Sequence, residues 1–418
     1  MTKPRLIRSK DYNTQPLWFK SINSVWQSTY GLGTNVKLTK NGLIKAARKT
    51  TGLHDFGRDF WDEPLDRLLY SMNEEARLHP IGRFITQKRM QNLLSVRLRA
   101  EDWFKKNPEI LQQELYPVKV IIGLQRTGTT KLHRLLASDR NNRTLASWEA
   151  INPAPLHGNI TDERDRIKLA KMSEKALKIM SPGFFAIHPV EHLAPEEDVL
   201  LLDVSFLSTT PEAIMHVPSY SNWLENTDQT IAYDYTAKLM KLLQWQRPAK
   251  QWVLKSPHHL EFLNLNQKCF KDVQFIWTHR NVQQAIPSFI SMVAHSRILF
   301  SNEVDPKEVA KHWVRKIGFM LTKALEYRSK SNESNQFIDV IYQDLVKDSK
   351  TIMDKIYRGF NLTISPELEE IFYATENSNP QGKYGVHIYS PEDFGIDSSF
   401  IDEATMPYQM YLEKLMKK

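Results

Sequence analysis

Two hydrophobic rhythms divide the chain. Up to about residue 115 the apolar positions recur at helical spacing. Leu65, Leu68, Leu69 and Met72 fall at i, i+3, i+4 and i+7, one face of an amphipathic helix. Asp62-Glu63-Pro64 stands just before them and suits a helix start. Met90, Leu93 and Leu94 continue such a face, Trp103 and Phe104 follow, and Pro108 and Pro117 close the region. From 117 the rhythm changes. Val118, Val120, Ile121 and Ile122 form a short β-branched run, which predicts a buried strand. Further strands are predicted at 252–254, 273–277 and 337–342, separated by helical stretches such as 233–246 and 308–329. Strands alternating with helices predict a parallel sheet with helices on both faces. The expected fold is therefore α/β: a P-loop-type parallel sheet flanked by helices over 116–418, with a helical N-terminal region over 1–115 packed on it.

Composition narrows the functional classes. At 418 residues, 41% hydrophobic and 25% charged, the chain can bury a full core and is not a disordered one. No run approaches the ~18 apolar residues of a membrane span. The start, Met1 to Arg8, is basic but has no apolar h-region, so secretion is not expected. A single cysteine, Cys269, excludes an internal disulfide and a cysteine-rich zinc site, and the expected compartment is the cytoplasm. The net charge of +8 favours anionic partners. Lysines and arginines are scattered, with no stripe of interleaved aromatics, so a nucleic acid is not the expected partner.

The first predicted strand leads into Gly123-Leu124-Gln125-Arg126-Thr127-Gly128-Thr129-Thr130, with Leu132, Leu135 and Leu136 on one face of the helix that follows. The glycine spacing G-x-x-x-x-G is that of a P-loop. Such a loop aims backbone N–H groups and a helix N-terminus at an anion. A nucleoside-triphosphate loop continues with Lys and then Ser or Thr. Here Thr129 and Thr130 follow the second glycine, and the cation is Arg126, inside the loop. Gln125, Arg126, Thr127, Gly128, Thr129 and Thr130 are the candidate phosphate ligands, with no metal required. Arg280 directly follows the 273–277 strand and Ser288 stands eight residues on. The two can converge only if the chain turns back between them, and together they suit a second phosphate.

These residues resemble the PAPS-dependent sulfotransferases, in which the first loop holds the 5′-phosphosulfate of 3′-phosphoadenosine 5′-phosphosulfate (PAPS) and an Arg…Ser pair holds the 3′-phosphate. Trp252-Val253-Leu254-Lys255-Ser256-Pro257-His258-His259-Leu260 is similar to the K-S-P-x-H-L segment of a large, mostly bacterial branch. Lys255 lies 25 residues before Arg280, near the family's spacing. Ile341-Tyr342-Gln343-Asp344-Leu345 resembles its Y-E-D-L segment, and 379–395, with Gly382 and Lys383, its C-terminal loop. The resemblance implies a sulfotransferase with PAPS as co-substrate. It places Arg126 and Lys255 as cations at the transferred group, and Tyr342, Gly382 and Lys383 on the nucleotide. For the base it leaves open His259, which precedes Leu260 as a catalytic histidine precedes leucine in cytosolic members, and Glu149, 23 residues after Arg126. The run Glu196-Glu197-Asp198 suits a helix N-terminus, with Glu197 in the acceptor pocket as the lesser reading.

Two other classes stay open. A P-loop kinase or nucleotide hydrolase needs the missing lysine and Mg²⁺. A non-enzymatic polyanion-binding protein needs a concentrated basic stripe. The acceptor is expected to be a small molecule bearing a hydroxyl or amine, a lipid before a carbohydrate. Its walls are expected from 1–115 and 150–235, with Phe184, Phe185, Phe206, Tyr220 and Trp223 giving them apolar character.

Overall fold

Five parallel strands form the centre of the molecule. The computed structural model of the protein describes residues 6–33, 35–157, 163–270, 272–331, 336–380 and 382–417. The strands are β1 (Leu6–Arg8), β2 (Val118–Ile122), β3 (Asn142–Arg143), β4 (Gln251–Lys255), β5 (Gln274–His279), β6 (Phe337–Ile341) and β7 (Val386–Ile388). The main sheet has the order β3-β4-β2-β5-β6, and every pairing in it is parallel. All five residues of β2 and of β4 are buried, because helices cover both faces.

Alternation along the strands decides which layer each side chain joins. Val120, Ile122, Trp252, Leu254, Phe275 and Trp277 belong to one apolar cluster. Ile121, Val253 and Ile276 belong to a second, with Leu132, Leu135 and Leu136 of the helix Thr129–Ser138. The period of two puts successive residues on opposite faces. The first cluster extends without a break into the N-terminal helices Leu17–Ser28, Lys40–Thr51, Asp62–Glu74 and Pro80–Lys106. Leu65, Leu68, Leu69 and Met72 are all buried there.

The crevice follows from topology. β2 lies between β4 and β5, and the connections leave it on both sides. Outside the carboxyl ends of such strands an open parallel sheet holds its ligands. The two- and three-residue strands β1, β3 and β7 are too short for any hydrophobic period and were not expected. β1 and β7 pair in parallel, with Leu6 opposite Val386, and the Ser9 hydroxyl donates to the Asp393 carboxylate. The N-terminal segment thus straps down the C-terminal loop. Two parts of the sequence reading, the basic residues 1–5 and Gln381 of that loop, lie outside the described residues.

Candidate functional site

The loop after β2 has the backbone that its glycines predict. Gly123, Arg126 and Gly128 have φ of 136°, 70° and 90°, a region that favours glycine. A Cβ on Gly123 would stand 2.3 Å from Thr278 Oγ1, and one on Gly128 3.0 Å from the Tyr342 ring. Gln125, Arg126, Gly128, Thr129 and Thr130 line a cleft of about 1270 Å³. Gln125 Oε1 is buried there without a partner, an acceptor free for a ligand donor. Thr127 departs from expectation. Its hydroxyl lies 2.6 Å from the Leu124 carbonyl and 2.7 Å from Thr278 Oγ1, out of the cleft. The side chain staples the loop, which leaves only its N–H to an anion.

Arg280 and Ser288 come to the same cleft. Ser288 sits two turns into the helix Val282–Arg297, which folds back from the end of β5. Arg126 Nε donates to Ser288 Oγ at 3.1 Å, and Arg280 Nη1 donates to the Arg126 carbonyl at 2.7 Å. The Arg280 guanidinium lies 4.3 Å over the Tyr342 ring, which fixes its plane. The two anion sites are therefore neighbours, with Arg126 shared between them. Burial, with Arg280 close by, lowers the Arg126 pKa; an anion set among these groups favours the charged form. Gly382 and Lys383 close the cleft from the strapped loop.

The expected catalytic residues are placed differently. Lys255 Nζ is ion-paired to Glu197 Oε1 at 2.7 Å, so it is not a free cation. His259, expected as a candidate base, does not line the cleft. Its Nε2 meets Asp198 Oδ2 at 2.7 Å, and its Nδ1 lies 2.9 Å from the Tyr233 hydroxyl. The ring is buried off the cleft with both nitrogens engaged. Asp198 also accepts the Lys255 N–H at 3.1 Å, so the pair ties the acidic run to the end of β4. Glu149, the other candidate base, is ion-paired and also does not line the cleft. Arg143 grips its carboxylate at 2.6 and 2.9 Å, Arg247 adds a contact at 2.9 Å, and it caps its own helix through the Ala146 N–H. Burial alone raises this carboxyl, but the Arg143 and Arg247 charges outweigh it and hold the pKa below the ordinary value.

The cleft contains other groups that can take a proton. Glu196 and Glu197 both line it, with His188, His258 and His387. Burial raises the Glu196 carboxyl above its ordinary value, against the pull of Lys255. Burial also pushes His188 down to about 4 and His387 to about 3. His258 keeps Nε2 unpartnered, and its Nδ1 is 3.2 Å from Thr209 Oγ1. His192 turns away to Glu174, at 2.6 Å. Among the described residues no group of three or more His, Cys, Asp or Glu side chains is placed to hold a metal ion.

The cleft also has an apolar lining. Phe184, Ile187, Leu200, Phe289, Met292 and Trp313 line it. No described residue before Gln125 does, so the expectation that 1–115 walls the acceptor is corrected. The buried apolar side chains of those helices, such as Leu43, Leu65 and Leu94, pack into the core instead. Phe206 and Tyr220 are buried in that core as well, and Trp223 packs on its edge. Phe185 is buried beside Tyr384. Only Phe184 of the five expected aromatics reaches the cleft.

The profile of the sulfotransferase family matches residues 117–366, from β2 past β6. The chain belongs to the sulfotransferase family. No curated protein sequence matches it significantly. Among solved structures it is similar to sulfotransferase STF1 from Mycobacterium tuberculosis H37Rv. The two share 29% identity over 89% of this chain and 99% of that one, with a TM-score of 0.78. It is also similar in fold to sulfotransferase STF9 from Mycobacterium avium, at 22% identity over 88% and 95% of the chains, with a TM-score of 0.79.

For this sulfotransferase-family chain, the sequence reading missed His188, His258 and His387 and undervalued Glu196 and Glu197. A signal for the glutamates was present. Two consecutive acids ahead of the four-residue helix Val199–Leu202 exceed what so short a helix dipole needs. Nothing local marked the histidines, which reach the cleft from three separate segments.

Proposed function

We propose that the cleft transfers a sulfuryl group from PAPS to a hydroxyl on an apolar small molecule. The observation that carries this reading is the convergence of Gln125, Arg126, Gly128, Thr129 and Thr130 with Arg280 and Ser288 in one cleft that also has an apolar lining. The residues fit the donor: N–H groups, Thr129 and Thr130 suit the phosphosulfate, and Arg280 with Ser288 suits the 3′-phosphate. Tyr342, Gly382 and Lys383 flank the nucleotide. The phosphosulfate supplies an activated sulfuryl group. Arg126 steadies the negative charge that builds as the sulfur–oxygen bond to the 5′-phosphate breaks and the bond to the acceptor oxygen forms. Lys255, held by Glu197, adds positive potential from beneath. Glu196 takes the acceptor proton, because a carboxyl raised by desolvation is a better base at neutral pH. The expected compartment stays the cytoplasm, which suits the free Cys269.

Calorimetry with the product PAP tests the reading. Binding of PAP without metal, tighter than ATP with Mg²⁺, is expected. ATP·Mg²⁺ binding more tightly than PAP overturns it in favour of a kinase or nucleotide hydrolase.

A further inference from the structure

The helix Leu17–Ser28 is half-bare. Only Phe19 and Asn23 are buried in it, while Leu17 is 83% exposed, Val25 67%, Ile22 47% and Trp18 44%. At a helical step Trp18, Ile22 and Val25 share one arc, beside the half-buried Trp26. The arc continues onto the long helix Pro80–Lys106, where exposed Phe84 has its ring centroid 6.1 Å from that of Trp26. Leu32, just beyond the helix, is 83% exposed. Scattered exposed apolar residues are ordinary, but a contiguous group of this kind marks a contact surface.

Charge says what kind of surface it meets. From Tyr12 to His54 the sequence has no Asp or Glu, and it carries Lys20, Lys37, Lys40, Lys45, Arg48 and Lys49. Of these only Lys40 is neutralised, by Asp62 and Asp66; the other five are exposed. The facing stretch from Ala76 to Ala100 is equally free of acids. Lys88 Nζ lies 5.5 Å from the centre of the Phe84 ring. Lys37 lies beside the same stretch of the long helix, where its backbone carbonyl accepts from the Gln87 side chain at 3.4 Å. A second copy of this chain would bring like charges face to face across a twofold axis. An apolar arc with a tryptophan, edged by unpaired lysines, is the pattern of a helix that lies in a membrane interface.

We infer that the Leu17–Ser28 helix and the basic surface around it dock the protein onto an anionic lipid bilayer. Trp18, Ile22, Val25 and Phe84 enter the acyl boundary, and Lys37 and Lys88, which adjoin them, meet the headgroup phosphates. This surface is separate from the cleft, and the inference stands whether or not the cleft binds PAP.

Co-sedimentation of the full chain with vesicles tests it. Vesicles of phosphatidylcholine with about 30 mol % phosphatidylglycerol should bind the protein at low salt, at least about tenfold more strongly than phosphatidylcholine alone. High salt should weaken the binding. The double variant Ile22→Glu, Val25→Glu should lose about tenfold or more of the partitioning, with an unchanged Tm, because both positions are exposed. Lys37→Glu with Lys88→Glu should lose the preference for the anionic lipid. Absence of binding to the anionic vesicles at low salt overturns the inference. So does equal binding by the Ile22→Glu, Val25→Glu variant, which would make the attraction a general one for polyanions. A dimer that forms without lipid and is abolished by the same variant assigns the patch to a second copy and also overturns it.

Discussion

The polar and the apolar lining of the cleft are built by opposite means. The polar lining draws on short local segments: one loop of eight residues, and an arginine and a serine from a single strand-to-helix turn. Its chemistry comes from backbone N–H groups, two arginines and hydroxyls, whose positions follow from where β2 and β5 stop. The apolar lining draws single side chains from four regions: Phe184, Ile187 and Val190, then Val199 to Ile214, then Phe289 to Val293, and Trp313. No segment there repeats a spacing. A phosphate group is the same in every ligand that carries one, so a compact motif suffices to bind it. An apolar acceptor is recognised by the shape of a whole cavity, and shape is assembled from the tertiary packing.

The strongest way to sharpen this contrast is at the proposed base. Glu196→Gln should lower kcat by roughly a hundredfold to ten-thousandfold while PAP affinity barely changes. If kcat stays within threefold with chemistry rate-limiting, the proton goes elsewhere, and His258→Ala is the next variant to measure. A comparable free energy is at stake in Glu149→Ala, but in stability. Leaving Arg143 buried without its carboxylate should cost about 3–5 kcal/mol, read from denaturant unfolding. The residual folded enzyme should keep its kcat. A selective loss of kcat with stability intact would assign Glu149 as a base.

Arg280→Ala addresses the anion site alone. It should weaken PAP by about 1.5–3 kcal/mol and adenosine 5′-phosphosulfate, which lacks the 3′-phosphate, far less. Equal losses for both would break the assignment of Arg280 to a 3′-phosphate. Ala213→Phe addresses the apolar lining. Ala213 lines the cleft, and filling it should raise the acceptor KM about tenfold, some 1.4 kcal/mol, with PAP affinity unchanged. Equal weakening of both ligands would mean that the two linings form one site.

The smallest effect is a pH dependence that should separate the two. His188 and His387 in the cleft stay neutral because burial lowers them to about 4 and about 3. Unfolded histidine titrates near about 6.5. Below that pH the unfolded chain binds more protons, so this contribution to stability is complete above about 6.5 and falls with acidification toward the folded values. An anion near Arg126 favours the protonated rings and brings the folded values closer to the unfolded one. The drop in Tm from pH 7.5 to 5.5 should therefore be smaller with PAP, corrected for its binding, and unchanged with an uncharged apolar ligand. Identical slopes with and without PAP would sink this.

These placements share one cause. Lys255, His259 and Glu149 were read from sequence neighbours, as residues near a strand end or at a family-like distance. At Lys255 and His259 the decision lay with partners 57 to 61 residues away: Glu197 and Asp198. At Glu149 it lay with Arg143, six residues before, and Arg247. A histidine pair such as His258-His259 offers two rings in opposite directions, and only packing against Tyr233 and Asp198 shows which one is consumed.

By itself the sequence determined the elements with a strong period. The β-branched runs had to be strands buried on both faces, the 65–72 face had to be a core helix, and the glycines at 123 and 128 had to turn the chain before a helix. Local sterics and burial act over a few residues, so they can be read in order. The tertiary structure alone decided which charged groups are spent on one another, which reach the cleft, and which face of the Leu17–Ser28 helix stays bare. Those outcomes depend on the distance between side chains far apart in the chain, where both electrostatic pairing and burial change within a few ångströms.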